Sequence, residues 1–162
     1  MKLYKIFIDK SPVGPLTVIA EDNYIISLQF GKLEVQLYNN RPICEKANAI
    51  LAEAEKQLSE YFSGSRKDFE LPLKLYGTKF QKKVWTALCT VEYGKTATYK
   101  ELAELAGNAG AARGAVGQAN HNNPISIIVP CHRIIGSNGS LTGYGGGIDK
   151  KRILLDLECR YL

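Results

Sequence analysis

Thr98-Tyr99-Lys100-Glu101-Leu102-Ala103-Glu104-Leu105-Ala106-Gly107-Asn108 carries the signals for both ends of a short helix. Thr at the N-cap with Glu three residues on is a capping box, in which two otherwise orphaned backbone N–H groups are satisfied reciprocally. Leu102, Leu105 and Ala106 form an apolar stripe, and Gly107-Asn108 supplies the left-handed closure that ends a helix. The run that follows, Ala111-Ala112-Arg113-Gly114-Ala115-Val116-Gly117-Gln118-Ala119, is built almost wholly of small side chains, with Arg113 as its one long cation. Two short helices around a Gly-containing turn outline a helix-turn-helix, whose second helix lies against DNA. An ordinary helical corner has the same outline. Small side chains favour the first reading, because each glycine costs a helix roughly 1 kcal/mol and close approach to another surface is a reason to keep it.

Upstream, Thr78-Lys79-Phe80-Gln81 is a second capping box, and Phe80, Val84, Ala87 and Leu88 predict a helix over 79–90. Before it, Ser63-Gly64-Ser65-Arg66-Lys67-Asp68 and Leu71-Pro72-Leu73 have the composition of a connecting segment. A domain boundary is therefore expected near 65–77, with an N-terminal α/β domain over 1–70 and a second domain over 77–162. In the first, apolar or alternating runs over 3–8, 16–20 and 24–30 are separated by Pro12-Val13-Gly14-Pro15 and Glu21-Asp22-Asn23, which predicts an antiparallel meander. Ile50, Ala54, Leu58, Tyr61 and Phe62 recur at helical spacing within 45–62. The expected fold class is α+β: an antiparallel sheet plus helix, then a helical, winged-helix-like DNA-binding domain.

Downstream, 125–129 predicts a buried strand, and 137–147 a Gly-rich loop suited to a wing. The loop lacks the Gly-Lys-Ser/Thr ending of a phosphate loop, which excludes a nucleoside triphosphate site there. A last helix over 148–157 is expected to turn Ile153, Leu154 and Leu157 inward and to place Glu158 at its end.

Charge separates the two halves. Residues 1–76 hold ten Lys/Arg and ten Asp/Glu, and 77–162 hold eleven and six, so the net +5 lies entirely in the second. No acidic residue occurs between Glu104 and Asp149, as suits a surface that approaches phosphates, although a solvated basic face has the same signature. No apolar stretch approaches the roughly 18 residues of a membrane span, and the N-terminus alternates like a strand, so a cytoplasmic protein, or a nuclear one in a eukaryote, is expected. Cys44, Cys89, Cys131 and Cys159 contain no C-x-x-C pair and read as separate reduced thiols.

Of these, Cys131 has the reactive surroundings. It follows Pro130 and precedes His132, one of two histidines, and Arg133. A thiol is a weak nucleophile until a base or a positive charge favours the thiolate. Adjacent strand residues face opposite ways, so Cys131 and His132 can cooperate only across a turn.

Asn123-Pro124-Ile125-Ser126-Ile127-Ile128-Val129-Pro130-Cys131-His132-Arg133-Ile134-Ile135-Gly136 resembles the signature of the O6-alkylguanine-DNA alkyltransferases, or methylated-DNA-protein-cysteine methyltransferases. The resemblance runs from Phe80 to Glu158 through Trp85, Tyr93-Gly94, Thr98-Tyr99, Ala106-Gly107-Asn108, Ala111-Ala112-Arg113, Gly143-Tyr144-Gly145-Gly146-Gly147 and Leu154-Leu155-Asp156-Leu157-Glu158. It implies DNA repair by irreversible transfer of the alkyl group of O6-alkylguanine, with O4-alkylthymine a further candidate, onto Cys131 in a single turnover. His132 would activate Cys131 through water, Glu158 would orient His132, Asn123 would hold the turn, and Tyr99 would donate a proton to the leaving guanine. Arg113 would fill the stack left by the flipped base. Tyr99, Lys100, Asn108, Gln81 and Ser137 would contact the DNA backbone, and Ser126, Ile134, Leu141, Tyr144 and Gly145 would line the pocket. The partner implied is double-stranded DNA bearing the lesion, met by a monomer without metal or organic cofactor. The N-terminal part lacks the Cys/His set with which some relatives hold zinc.

One departure concerns Gly114. The spacing from Arg113 to Cys131 is one residue longer than the family's, and if the helix takes up Gly114 as a bulge, Arg113 turns away from the duplex. Three other readings compete. A non-catalytic relative that only flags alkylated bases would have replaced the acceptor cysteine. A winged-helix regulator leaves Cys131, His132 and Glu158 unexplained, and a cysteine hydrolase leaves the basic, small-residue helix unexplained.

Overall fold

The computed structural model describes residues 1–162 and divides into two units, Met1–Leu75 and Tyr76–Leu162. In the first unit, β1 (Leu3–Ile8), β2 (Leu16–Glu21) and β3 (Tyr24–Phe30) form the antiparallel meander, with β2 buried along its whole length. Helix α1 (Ala49–Phe62) is capped by Asn48, whose side chain accepts from Leu51 N at 3.1 Å. It starts later than the expected 45 because that cap, not the charged run before it, sets the entry. Its stripe of Leu51, Ala54, Leu58 and Tyr61 is buried, and it packs on β1, β2 and β3.

The sheet also extends beyond the meander. β4 (Leu37–Tyr38) and β5 (Arg41–Cys44) form a hairpin around Asn39 and Asn40, whose φ of 49° and 61° are those of a type I′ turn. β5 then pairs parallel to β1, giving the order β3-β2-β1-β5-β4 and a mixed sheet. Pro42 inside β5 hid the strand, since proline demotes a run to an edge or a non-strand. Glu21, buried in β2, is neutralised by Arg41 at 2.6 Å and by Lys74.

In the second unit, α2 (Lys79–Leu88) and α3 (Tyr99–Leu105) each begin with the expected capping box, from Thr78 and Gln81 and from Thr98 and Glu101. Gly107, at φ 72°, closes α3. Helix α4 (Arg113–His121) packs on both, and buried Trp85 Nε1 donates to Ala119 O at 2.8 Å, fastening α2 to α4. Gly114 makes no bulge: Ala115 N and Val116 N both donate to Ala112 O, so α4 is regular from its first turn. Two short strands, β6 (Ala97–Thr98) and β7 (Ile134–Ile135), pair in parallel, and α5 (Ile148–Arg160) closes the unit.

Two expectations fail here. Residues 125–129 are not a strand but a coiled turn: Ile127 has a φ of 72°, left-handed for a β-branched residue. Ile153 does not face inward either and is 37% exposed, because the buried face of α5 is Lys151, Leu154, Leu157 and Glu158. Glu158 was expected at the end of this helix, but α5 runs on to Arg160 and holds it inside the last turn. No helix is long and apolar enough to cross a membrane.

Candidate active site

The turn that carries Cys131 is built from two tight backbone reversals. Ile128 N donates to Ser126 O at 2.8 Å around Ile127, and Cys131 N donates to Val129 O at 2.8 Å around Pro130. The first is the rare γ-turn of positive φ, and a non-glycine residue in this region costs about 1–2 kcal/mol. Asn123 offsets that strain. Its Oδ1 accepts from Ile125 N at 3.0 Å and its Nδ2 donates to Val129 O at 2.7 Å, so one buried amide braces both limbs. A helical turn of 3-10 type, Cys131–Arg133, follows, and it brings Cys131 and His132 into one buried cluster, which strand geometry would have kept apart.

Behind the cysteine stands a buried charge cluster. His132 Nε2 and Glu158 Oε1 are 2.7 Å apart, and Arg133 donates to the same carboxylate through Nε at 3.0 Å and Nη2 at 2.9 Å. Gly94 N adds a donor at 3.2 Å, and Arg133 Nη1 donates to Val91 O at 2.6 Å. Burial works against the Glu158 carboxylate, but hydrogen bonds and charge from His132 and Arg133 outweigh it and hold its pKa at about 2. Burial likewise lowers the His132 pKa, more than the Glu158 hydrogen bond and charge raise it. At neutral pH the cluster is therefore a carboxylate, a guanidinium and a neutral imidazole. With Nε2–H donated to Glu158, the free lone pair is on Nδ1, which is buried and takes no hydrogen bond from the protein.

Cys131 itself is 4% exposed. Burial pushes its thiol pKa up, while Asn123, the Tyr144 phenol and the Lys151 charge favour the thiolate. A thiol kept protonated at rest, beside a neutral imidazole with an open lone pair, is a nucleophile to be activated in place.

A hollow of about 300 Å³ lies at the helix-turn-helix, lined by Tyr99, Lys100, Ala103, Ala109, Arg113 and Ser137 among others. The Arg113 guanidinium lies 5.8 Å from the Tyr99 ring centroid, and Tyr99 OH donates to Thr142 O at 3.2 Å. Gln81 and Asn108 lie outside the hollow: the Gln81 side chain accepts from Thr78 N in the capping box, and Asn108 sits exposed after α3. Of the expected pocket residues, Tyr144 and Ile134 are buried, Ser126 and Leu141 are half-buried, and Gly145 is exposed against His121.

Three residues escaped the sequence reading. Arg133 was noted only as a neighbour, yet it is the main partner of Glu158. Asn120 is buried in α4, and its Nδ2 lies 3.4 Å from Cys131 O. Lys151 is buried in α5. Its spacing of seven from Glu158 puts both on one helix face, a signal that a search for apolar stripes discards.

The pKa directions predict how stability responds to acid. His132 is depressed in the folded state, so the stability tied to its neutral form is present above the ordinary imidazole pKa of 6.5 and is lost as pH falls below it. The Glu158 contribution is complete above 4.5 and drains away as pH falls towards about 2. Urea midpoints measured across the acid range should fall in these two stages, and Glu158→Gln should abolish the lower one.

Two family models match the chain: 6-O-methylguanine DNA methyltransferase, ribonuclease-like domain, over residues 3–75, and 6-O-methylguanine DNA methyltransferase, DNA binding domain, over residues 79–160. The methylated-DNA-protein-cysteine methyltransferase of Mycobacterium tuberculosis is 48% identical over 148 residues, covering 91% of this chain and 88% of the relative. That of Methanosarcina acetivorans is 45% identical over 157 residues, covering 96% and 97%. Among solved structures, the Mycobacterium tuberculosis protein crystallised in complex with DNA superposes with a TM-score of 0.85 at 42% identity, over 99% of this chain and 94% of that one.

Proposed function

Because the chain belongs to the 6-O-methylguanine DNA methyltransferase family, we infer that it repairs DNA by moving the alkyl group of O6-alkylguanine onto its own Cys131. The observation that carries this reading is a buried thiol next to a neutral imidazole that a carboxylate orients, in a unit that also carries a helix-turn-helix lined by Lys100 and Arg113. The O6 carbon of a stacked guanine cannot meet a buried sulfur, so the nucleotide must leave the duplex. Flipping costs a few kcal/mol in unstacking, less for a damaged base, and a side chain inserted in its place offsets part of that. Arg113, exposed at the first turn of α4, is that side chain.

Once the base is seated, the thiol proton passes to His132 Nδ1, directly or through a water. Sulfur attacks the alkyl carbon in line, the S–C bond forms, and the C–O6 bond breaks. The guanine that departs takes a proton from Tyr99, whose hydroxyl now rests on Thr142 O and is free to turn to the base. Glu158 stabilises the imidazolium that forms, and Arg133 keeps that carboxylate ionised. The product is a thioether, and no group in the site can cleave one. Each molecule therefore acts once, as a monomer on a single lesion in duplex DNA. Phosphate contacts from Lys100 and Ser137 would position the protein without reading sequence.

Nucleoside analysis of a duplex bearing one O6-methylguanine tests this: guanine should be restored in proportion to protein added, one for one. Restoration beyond one equivalent, or none with the duplex still bound, contradicts it. Arg113→Ala should separate flipping from chemistry. Loss of the inserted side chain should slow transfer from duplex about 10²-fold, the rate equivalent of a few kcal/mol, and leave transfer from the free base O6-methylguanine unchanged.

A further inference from the structure

Two buried amides flank the acceptor cysteine, and one of them is only half engaged. Asn123 spends both of its heteroatoms on the turn, Oδ1 on Ile125 N and Nδ2 on Val129 O. Asn120, 1% exposed near the end of α4, donates from Nδ2 to Cys131 O at 3.4 Å, and its Oδ1 is buried without a hydrogen-bond partner. Chemistry fixes which atom is which, because a carbonyl only accepts and so must be faced by the nitrogen. Cys131 O also accepts from Ile134 N, so two donors already fill the carbonyl of the acceptor residue. His132 Nδ1, likewise open, is the atom that takes the thiol proton. The acceptor left beside Cys131 is Asn120 Oδ1.

A buried acceptor without a donor costs the fold stability, and its presence is accounted for when the donor arrives with a ligand. The alkylated base has one such donor to bring. Alkylation at O6 leaves guanine N1 without its hydrogen, so N1, N3 and N7 all accept, and the 2-amino group alone donates. That amino group stands on the same edge of the ring as O6, with N1 between them. A base seated with its O6-alkyl carbon against Cys131 Sγ therefore lays this edge along Cys131, the residue whose carbonyl holds the Asn120 amide.

We propose that Asn120 is a specificity-determining residue: its Oδ1 accepts a hydrogen bond from the 2-amino group of the flipped guanine, while its Nδ2 keeps the amide fixed on Cys131 O. The site thereby reads the base as guanine, and not only the alkyl group on it. A purine with the same O6-alkyl group and no 2-amino group brings no donor, and Oδ1 stays unpaired in the filled site. A site built around a hydrogen bond rejects the analogue that lacks it. The proposal deepens the repair reading and rests on it.

Two synthetic duplexes test it, one carrying O6-methylguanine and the other O6-methylhypoxanthine, which differs only in lacking the 2-amino group. Each lesion is set opposite an abasic site, so that base pairing does not enter. The parent should transfer from the first about tenfold faster, the rate equivalent of one hydrogen bond. In Asn120→Leu the ratio should fall to about one, through a slower reaction with O6-methylguanine. A merely structural role for Asn120 slows both substrates alike and leaves the ratio at its parent value, and that result overturns the proposal. Equal rates in the parent overturn it as well, whether or not the Leu variant folds, and Asn120→Ala supplies the same comparison if it does not. Transfer from neither duplex by the parent contradicts the reading of Cys131 as acceptor, and the proposal falls with it.

Discussion

Cys131→Ser is expected to bind duplex DNA as the parent does and to take up no methyl group. Serine fills nearly the same volume in the turn braced by Asn123, so the fold and the rim of Tyr99, Lys100, Arg113 and Ser137 stay as they are. What changes is the nucleophile. A hydroxyl loses its proton far less readily than a thiol, and a neutral imidazole that suffices to activate sulfur leaves it almost wholly protonated. Transfer should fall by on the order of 10⁴-fold or more, the scale on which enzymes lose rate when the nucleophile goes. Fluorescence anisotropy with a lesion-bearing duplex and a methyl-transfer time course measure the two properties side by side. Persistent transfer in the Ser variant would remove Cys131 as the acceptor, and intact transfer by a Cys89 or Cys159 variant would do nothing to restore it. Unchanged binding with lost transfer also separates this protein from a regulator, for which the cysteine would be incidental.

The second large effect is expected at Arg133. Its guanidinium makes three contacts to Glu158, and both residues are buried. Arg133→Met removes the cation and leaves a buried carboxylate without its guanidinium partner. Breaking one side of such a pair costs about 3–5 kcal/mol, because the other charge stays buried. The imbalance has a chemical consequence as well. Without Arg133 the cluster restores neutrality by protonating His132, and an imidazolium has no lone pair to take the Cys131 proton. Transfer should therefore drop by about 10²–10³-fold, the usual contribution of a positioned base. The double variant Arg133→Met/Glu158→Gln tests the logic, since it removes both charges. Denaturant midpoints should recover most of the lost stability, while transfer should remain low because His132 has lost its orienting carboxylate. If the double variant is no more stable than the single one, the electrostatic account of this cluster is wrong.

Local signals in the sequence were legible wherever one residue type answers one backbone need. Thr78 with Gln81, Thr98 with Glu101, and Gly107 each mark a helix end through a bond or a φ that few residues can supply, and all three hold. Legibility failed where the same composition serves two geometries. Ile125-Ser126-Ile127-Ile128-Val129 has the residues of a buried strand, and nothing local announces a left-handed φ at Ile127; the Asn123 amide imposes it from outside the run. Residues 41–44 carry no comparable signal: the run is four residues long and holds Pro42, and it becomes a strand through its pairing with β4 and β1. On α5 the apolar stripe suggested Ile153 and gave no sign of Lys151, which is buried because its partner Ile134 O lies far away in sequence. Arg133 was hidden in the same way: adjacency to Cys131 suggested charge, but only the fold puts it on Glu158.

The regularity of α4 bears on Gly114, where a bulge that would displace Arg113 was the expectation. A bulge would have rotated Arg113 off the DNA side, but Ala112 O accepts from both Ala115 N and Val116 N, and Arg113 stands at the rim of the hollow, over Tyr99. A Cβ on Gly114 would meet nothing, so the glycine is not required by packing within the unit.

The most direct measurement is intact-protein and peptide mass spectrometry after incubation with excess duplex containing one O6-methylguanine. The account predicts the mass of one added methyl group, confined to the peptide that carries Cys131, with the signal levelling at one per protein. A methyl group on any other residue, a second addition, or an unmodified protein still bound to the duplex would contradict it.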